Sequence, residues 1–210
     1  DVLIYVTKGL CEVTTALRRQ GESISKDVDH HITLNLFMTI TNANFDTEVF
    51  QARILETIQI KEELLPKVQD KRGLHEAALW TASTLEEIDS KAPSVGVLAT
   101  ENEDVRSLRE LTIYGIKGLA AYVKHANELS YDQGDICEFM QRAMAATLDD
   151  ALTAEDLVEL VLETGKFGVE GMALLDRANT ETYGNPEITK VNIGVGKNPG
   201  ILISGHDLHD

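Results

Sequence analysis

The chain has 210 residues, 43% of them hydrophobic, which is enough for a sizeable buried core in one large domain or two small ones. Acidic residues outnumber basic ones 35 to 19, and a net charge of −16 repels phosphate backbones and anionic lipid, so neither nucleic acid nor a membrane surface is an expected partner. No apolar run approaches the roughly 18 to 20 residues that span a bilayer, and the N-terminus shows no signal-peptide pattern, so a cytoplasmic protein is expected.

Apolar residues recur at spacings of three and four through most of the chain, predicting a mainly α protein. The first helix runs from Asp1 to about Gln20, with no capping residue ahead of it, and stops at Gly21. The second covers roughly 26–41, and the polar turn Asn42-Ala43-Asn44 follows. Asp46 is the expected N-cap of a third helix that turns Val49, Phe50, Ile54, Leu55, Ile58 and Leu64 inward and that Pro66 ends or kinks. Residues 74–94 read as a less regular connector, in which Ser83 and Glu86 are spaced as a capping box for one short helix. Thr100 and Glu103 repeat that pattern ahead of a long helix over 104–129. Gly134 and Asp135 precede a helix to about Thr147, and Thr153 with Asp156 opens the last one, which reaches Ala178. Gly165, Gly168 and Gly171 recur on one face of that helix, as Gly115 and Gly118 do on the earlier one. Each such glycine costs about 1 kcal/mol of helix propensity against Ala, which close approach of a neighbouring backbone would offset.

A short internal repeat accompanies this order. Residues 4–10 (IYVTKGL) match residues 113–119 (IYGIKGL) at five of seven positions, and each copy opens a set of three helices. Two three-helix bundles are therefore expected, over residues 1–95 (with the connector) and 96–185. After Gly184 the pattern changes. Val191, Ile193 and Val195 alternate as in an edge strand, and 200–204 (GILIS) is a short apolar run of the kind buried on both faces. Residues 186–210 thus read as the first strands of a truncated α/β domain. Neither Asp1, already inside an amphipathic run, nor Asp210 resembles a domain boundary, so a fragment is expected.

Few residues carry chemistry. His206 follows the second strand directly, and ligands of open α/β sheets collect at the carboxyl ends of strands. Gly205 beside it permits close approach to a bound centre, and a neutral imidazole is a common iron ligand; a role capping the next helix is the alternative. His30 and His31 point about 100 degrees apart on a helix, leaving Asp27 and His30 as one i, i+3 pair. His75, His125 and His209 have no ligand-spaced partners and read as solvated or capping residues. The two Glu-x-x-His motifs of a carboxylate-bridged di-iron bundle are missing. Residues 194–200 (GVGKNPG) do not make a dinucleotide loop, because Pro199 intervenes and a strand follows instead of a helix. The acidic residues Asp149, Asp150, Glu155, Asp156 and Glu159 mostly occupy a turn and a helix start, where carboxylates favour the dipole. Cys11 and Cys137 each stand alone in a helical stretch and form neither a disulfide framework nor a thiolate cluster.

Residues 198–208 (NPGILISGHDL) resemble the hybrid-cluster (prismane) protein motif in which the histidine ligates a hybrid iron-sulfur-oxygen cluster. Residues 37–46 (FMTITNANFD), 112–126 (TIYGIKGLAAYVKHA) and 179–196 (NTETYGNPEITKVNIGVG) resemble the same family, and the likeness is weakest over 72–93. The resemblance implies two helical bundles leading into the first of two α/β domains, with His206 as the one ligand this chain supplies. The family's cubane [4Fe-4S] cysteines would lie before Asp1, and its other hybrid-cluster ligands beyond Asp210. Cys11 and Cys137 match none of them, so the chain alone is expected to be inert.

The parent activity implied is an oxidoreductase, hydroxylamine reductase, that converts hydroxylamine to ammonia with two electrons from a redox partner protein. Nitric oxide reduction in nitrosative stress is a further implied role. The cubane centre would pass electrons inward and the hybrid cluster would bind the small-molecule substrate as a Lewis acid. Two other readings compete: a protein related to the carbon monoxide dehydrogenases, and a non-enzymatic helical structural or interaction module.

Overall fold

The computed structural model describes residues 1–40, 44–190 and 193–201. Eight α-helices lie among them: α1 (Val2–Arg19), α2 (Lys26–Met38), α3 (Thr47–Leu64), α4 (Glu76–Leu79), α5 (Leu85–Lys91), α6 (Glu103–Glu128), α7 (Gly134–Ala146) and α8 (Ala154–Tyr183). Single 3-10 turns at Leu65–Lys67, Ala92–Ser94 and Val97–Ala99 complete the regular structure. The mainly helical reading holds.

Local chemistry sets most of the boundaries. Gly21 takes a φ of +85° just past the end of α1, a left-handed conformation that favours glycine. The Asp46 carboxylate accepts from the N–H groups of Glu48 and Val49, as an N-cap should. Thr153 and Asp156 make a reciprocal capping box at the start of α8. Pro66 sits in the 3-10 turn where α3 tightens and stops.

Two caps fall elsewhere than the spacing suggested. The box opening α5 is Thr84 with Glu87: Thr84 is extended, its hydroxyl accepts from Glu87 N–H, and the Glu87 carboxylate accepts from both Thr84 and Ser83 N–H. Asn102, not Thr100, caps α6 by accepting from Val105 N–H. Asparagine serves as well as threonine there, and it stands next to the first helical residue. The connector also holds a helix that periodicity missed, α4, whose single turn is too short to show any period. Helix α8 runs on to Tyr183, five residues past the expected Ala178, and stops at Gly184 (φ +88°).

One core cluster joins α1 (Leu10, Cys11) and α2 (Ile32, Leu36) to α6, α7 and α8 through Ile116, Val123, Phe139, Met140 and Leu174. A second gathers Val6 of α1, Ile54 and Ile58 of α3, Ala77 of α4 and Ile88 of α5. Helix α1 contributes to both, so it is the spine of the molecule. Each fully buried Leu or Ile contributes about 1.5–3 kcal/mol. On α3 the inward set is narrower than expected: Ile54 and Ile58 are buried, whereas Val49 is 42% exposed near the solvated N-terminus of the helix.

Helices α6 and α8 pack along their length and run in the same direction, with Gly115 against Thr164 and Gly171 against Leu119 and Tyr122. The approach is of side chains, not of backbone, and a Cβ at Gly118, Gly165 or Gly168 would meet nothing within 4 Å. Close backbone approach occurs instead at Gly9, where a Cβ would overlap the carbonyl of Ala77.

No strand is present among the described residues. Ile193, Val195 and Ile201 are 98%, 101% and 92% exposed. A strand needs a hydrogen-bonded neighbour and a face to bury, and these residues have neither among the described ones. Val191 and residues 202–204 of the expected strands lie outside the described residues, as does the Asn42-Ala43 part of the turn before α3.

Candidate functional site

His206, the residue the sequence singles out, lies outside the described residues, and so does His209. Residues 193–201 form an irregular, exposed segment.

The two cysteines share the core cluster that joins α1 to α7. Burial pushes the Cys11 thiol well above its ordinary range, and burial with the nearby Asp29 carboxylate pushes Cys137 up to about 12. Iron binds thiolate, not thiol, so neither side chain fits a cluster ligand. Among the described residues no three of the His, Cys, Asp and Glu side chains come together as a metal site. The described residues therefore do not assemble an iron-sulfur centre, and no chemical step follows from one here.

The histidines take structural places. His75 caps α4, its Nδ1 accepting from Ala77 N–H at 3.0 Å. His125 lies edge-on to Phe37 with ring centroids 5.7 Å apart. The Asp27–His30 pair does not form; His30 reaches Asp132 at 2.7 Å, which Lys26 also holds.

Two buried polar networks escaped the sequence reading. In the first, His31 on α2 meets the Thr57 hydroxyl at 2.8 Å, and Asn35 donates to Thr57 and to Thr7 on α1. Arg53 donates to Asn35 Oδ1 at 2.7 Å and to the His31 carbonyl. Burial, with the Arg53 guanidinium beside it, pushes His31 down to about 4, so the ring is neutral near pH 7 and acts as a hydrogen-bonding wedge between α2 and α3. In the second network the Asp29 carboxylate of α2 binds Arg18 of α1 and Gln141 of α7. Polar residues on helix faces that otherwise pack inward were the only available signal. Lys61 is a third buried polar group, 1% exposed, its ammonium donating to the carbonyls of Ala77 and Trp80 and so tying α4 to α3.

A cleft of about 810 Å³ runs between α1 and the α7–α8 turn, with Arg19, Arg72 and Arg142 facing Glu12, Asp149 and Asp150. Its charges are mixed in sign and select no ligand class. No helix among the described residues is long and apolar enough to cross a membrane.

Comparison with known proteins supplies what this geometry leaves open. A protein named hydroxylamine reductase from Desulfovibrio desulfuricans is 58% identical over 210 residues, covering all of this chain and 38% of that protein. Namesakes from Clostridium perfringens and Clostridium tetani are 56% and 53% identical over 216 and 238 residues, again covering the whole chain and 39% and 42% of their own length. The chain thus spans about two fifths of the curated relatives it matches. The family model described as Prismane/CO dehydrogenase family matches residues 1–210, and the chain belongs to that family.

Proposed function

We propose that this chain is the helical part of an iron-sulfur oxidoreductase that reduces hydroxylamine to ammonia, with His206 as a ligand to its hybrid cluster. The observation that carries the reading is the 58% identity, across the entire chain, to a protein named hydroxylamine reductase. Identity at that level over helices of such specific packing supports a shared role within the longer protein, and the family match over residues 1–210 points the same way. Residues 1–95 and 96–185 serve as two helical bundles that wall the redox centres, and residues 186–210 lead into an α/β domain. The cubane and hybrid centres take their other ligands from residues beyond this chain, so the chain alone is inert. A cytoplasmic setting, electrons from a redox partner protein and a role in nitrosative stress complete the proposal.

The test is metal analysis and turnover on the protein encoded by the whole reading frame that contains this chain, purified without oxygen. Stoichiometric iron and sulfide with hydroxylamine-dependent oxidation of a reduced dye are expected. Stoichiometric nickel with carbon monoxide oxidation would overturn the reading in favour of a dehydrogenase, and absence of any metal would leave a helical binding module.

A further inference from the structure

Helices α6 and α8 each carry a second apolar stripe that the described residues leave uncovered. On α8, Val158, Leu162, Gly165, Val169 and Met172 follow one another at spacings of four, three, four and three, the repeat of a helix that packs along its length, yet all five are exposed. Leu162 is 70% and Val169 61% exposed. On α6, Leu111, Tyr114 and Tyr122 are exposed as well.

The seam between the helices fixes where these stripes point. Gly115 meets Thr164, and Gly171 meets Leu119 and Tyr122, so the two helices lie side by side and parallel. At about 100° per residue, the buried Ile116 and Val123 of α6 and Leu160 and Leu174 of α8 fall on one side of that seam. Leu111 and Tyr114 of α6 and Leu162 and Val169 of α8 fall on the other. The two stripes therefore form one outward face of a two-helix layer, about 21 Å long over residues 158–172.

Two features of this face ask for a partner. Its seven large apolar side chains form the kind of contiguous patch that marks an interaction surface, unlike the scattered exposure normal for a folded protein. Gly118 and Gly165 lie within it, and each gives up about 1 kcal/mol of helix propensity although a Cβ there would meet nothing within 4 Å among the described residues. Close approach of a neighbouring helix offsets that cost.

Spacing, charge and the length of the relatives point to one occupant. A four-three repeat suits a helix laid along α8, not a strand. A second copy of this chain would set one net charge of −16 against another. This chain aligns in full with 38–42% of the hydroxylamine reductases it matches, so about three fifths of each lies outside the match. Through Gly184, α8 passes into residues 186–201, where Ile188, Ile193, Val195 and Ile201 are exposed too. In an α/β domain helices cover the faces of the parallel sheet, so helices are what such a domain presents to a neighbour. We propose that the outward face of α6 and α8 is the docking surface for an outer α-helix of the α/β domain that residues 186–210 lead into, within the same polypeptide. This rests on the reading of the chain as the helical part of a longer enzyme. The docked helix runs along α8, with its apolar side chains seated over Gly118 and Gly165.

The experiment is photo-crosslinking in the protein from the whole reading frame, with Leu162 or Val169 replaced one at a time by p-benzoylphenylalanine and the adducts mapped by mass spectrometry. Both positions should crosslink within one polypeptide, to sites beyond residue 210 that lie about seven residues apart, because a docked helix rises by about 1.5 Å per residue as α8 does. A strand alongside would place the two sites about three residues apart. Oxidative footprinting of the unsubstituted protein covers the case in which either replacement prevents folding: Leu162 and Met172 should be protected to the level of the buried Leu174 and Met140. Crosslinks to a second copy or to any other segment, strand-like spacing, or oxidation of Leu162 and Met172 at the rate of open side chains would overturn the proposal. Neither readout depends on iron or turnover, so a protein without reductase activity can still show the contact and an active reductase can lack it.

Discussion

Gln141 on α7 donates to Asp29 on α2 at 2.6 Å, across 112 residues of sequence, and Arg18 on α1 reaches the same carboxylate oxygen at 2.9 Å. Three helices from both halves of the chain thus share one charge. Burial raises the Asp29 pKa, outweighing the two donors, so the carboxylate depends on them to stay ionised in the core. Removing it in Asp29→Ala leaves Arg18, whose side chain is 18% exposed, with Glu138 at 4.0 Å as its remaining ion partner, and should cost about 2–3 kcal/mol. Gln141→Leu, which removes one donor, should cost about 1–2 kcal/mol. Urea unfolding of the two variants checks both figures, and a change under about 0.5 kcal/mol in Asp29→Ala would show the network to be incidental.

His31 makes stability depend on pH. Its folded pKa of about 4 lies below the ~6.5 of a solvated imidazole, so the unfolded chain takes up the proton first. The His31 contribution is complete above pH ~6.5 and is lost as pH falls towards 4, by at most about 3 kcal/mol. Asp29 and Glu12, whose pKa values burial raises, act in the opposite direction and are common to parent and variant. Urea midpoints from pH 7 to pH 4 should fall more steeply for the parent than for His31→Asn. Parallel curves would mean that the folded ring takes up its proton as readily as a solvated imidazole.

The glycines separate into two groups. Gly9→Ala drives a methyl into the Ala77 carbonyl and should destabilise by about 1–3 kcal/mol, because backbone must move. Gly165→Ala sits in open space on an exposed helix face and should stabilise by up to about 1 kcal/mol. Thermal unfolding of the two variants should shift in opposite directions.

Lys61→Met tests the attachment of α4. The variant keeps the alkyl stem but leaves the Ala77 and Trp80 carbonyls without their donor, at a cost of about 1–3 kcal/mol. Amide exchange should rise first in 76–80, and uniform exchange across the chain would contradict a local clasp.

Helix identity was legible wherever one residue type settles an end, as at Asp46, Thr153 with Asp156, and Gly21. It was ambiguous where two residues fit the same pattern: Ser83 and Thr84 each have a glutamate three residues on, and only the backbone decides between them. Long-range polar pairs such as Asp29 with Gln141, and the backbone approach at Gly9, leave no trace in local periodicity because their partners are far away in sequence. The repeat was visible as a string of residues, but not that its two lysines, Lys8 and Lys117, come to line one cavity. Of the candidate site, the sequence offers His206 through its place after an apolar run and through family likeness, whereas the protonated state of Cys11 and Cys137 follows from burial.

The most direct measurement is iron content and hydroxylamine turnover of the oxygen-free protein from the whole reading frame, compared with its His206→Ala variant. The account predicts that the variant loses iron and most of its turnover while far-UV circular dichroism stays the same, since the side chain is a ligand and not a core filler. Unchanged iron and unchanged turnover would contradict it and make His206 a helix cap.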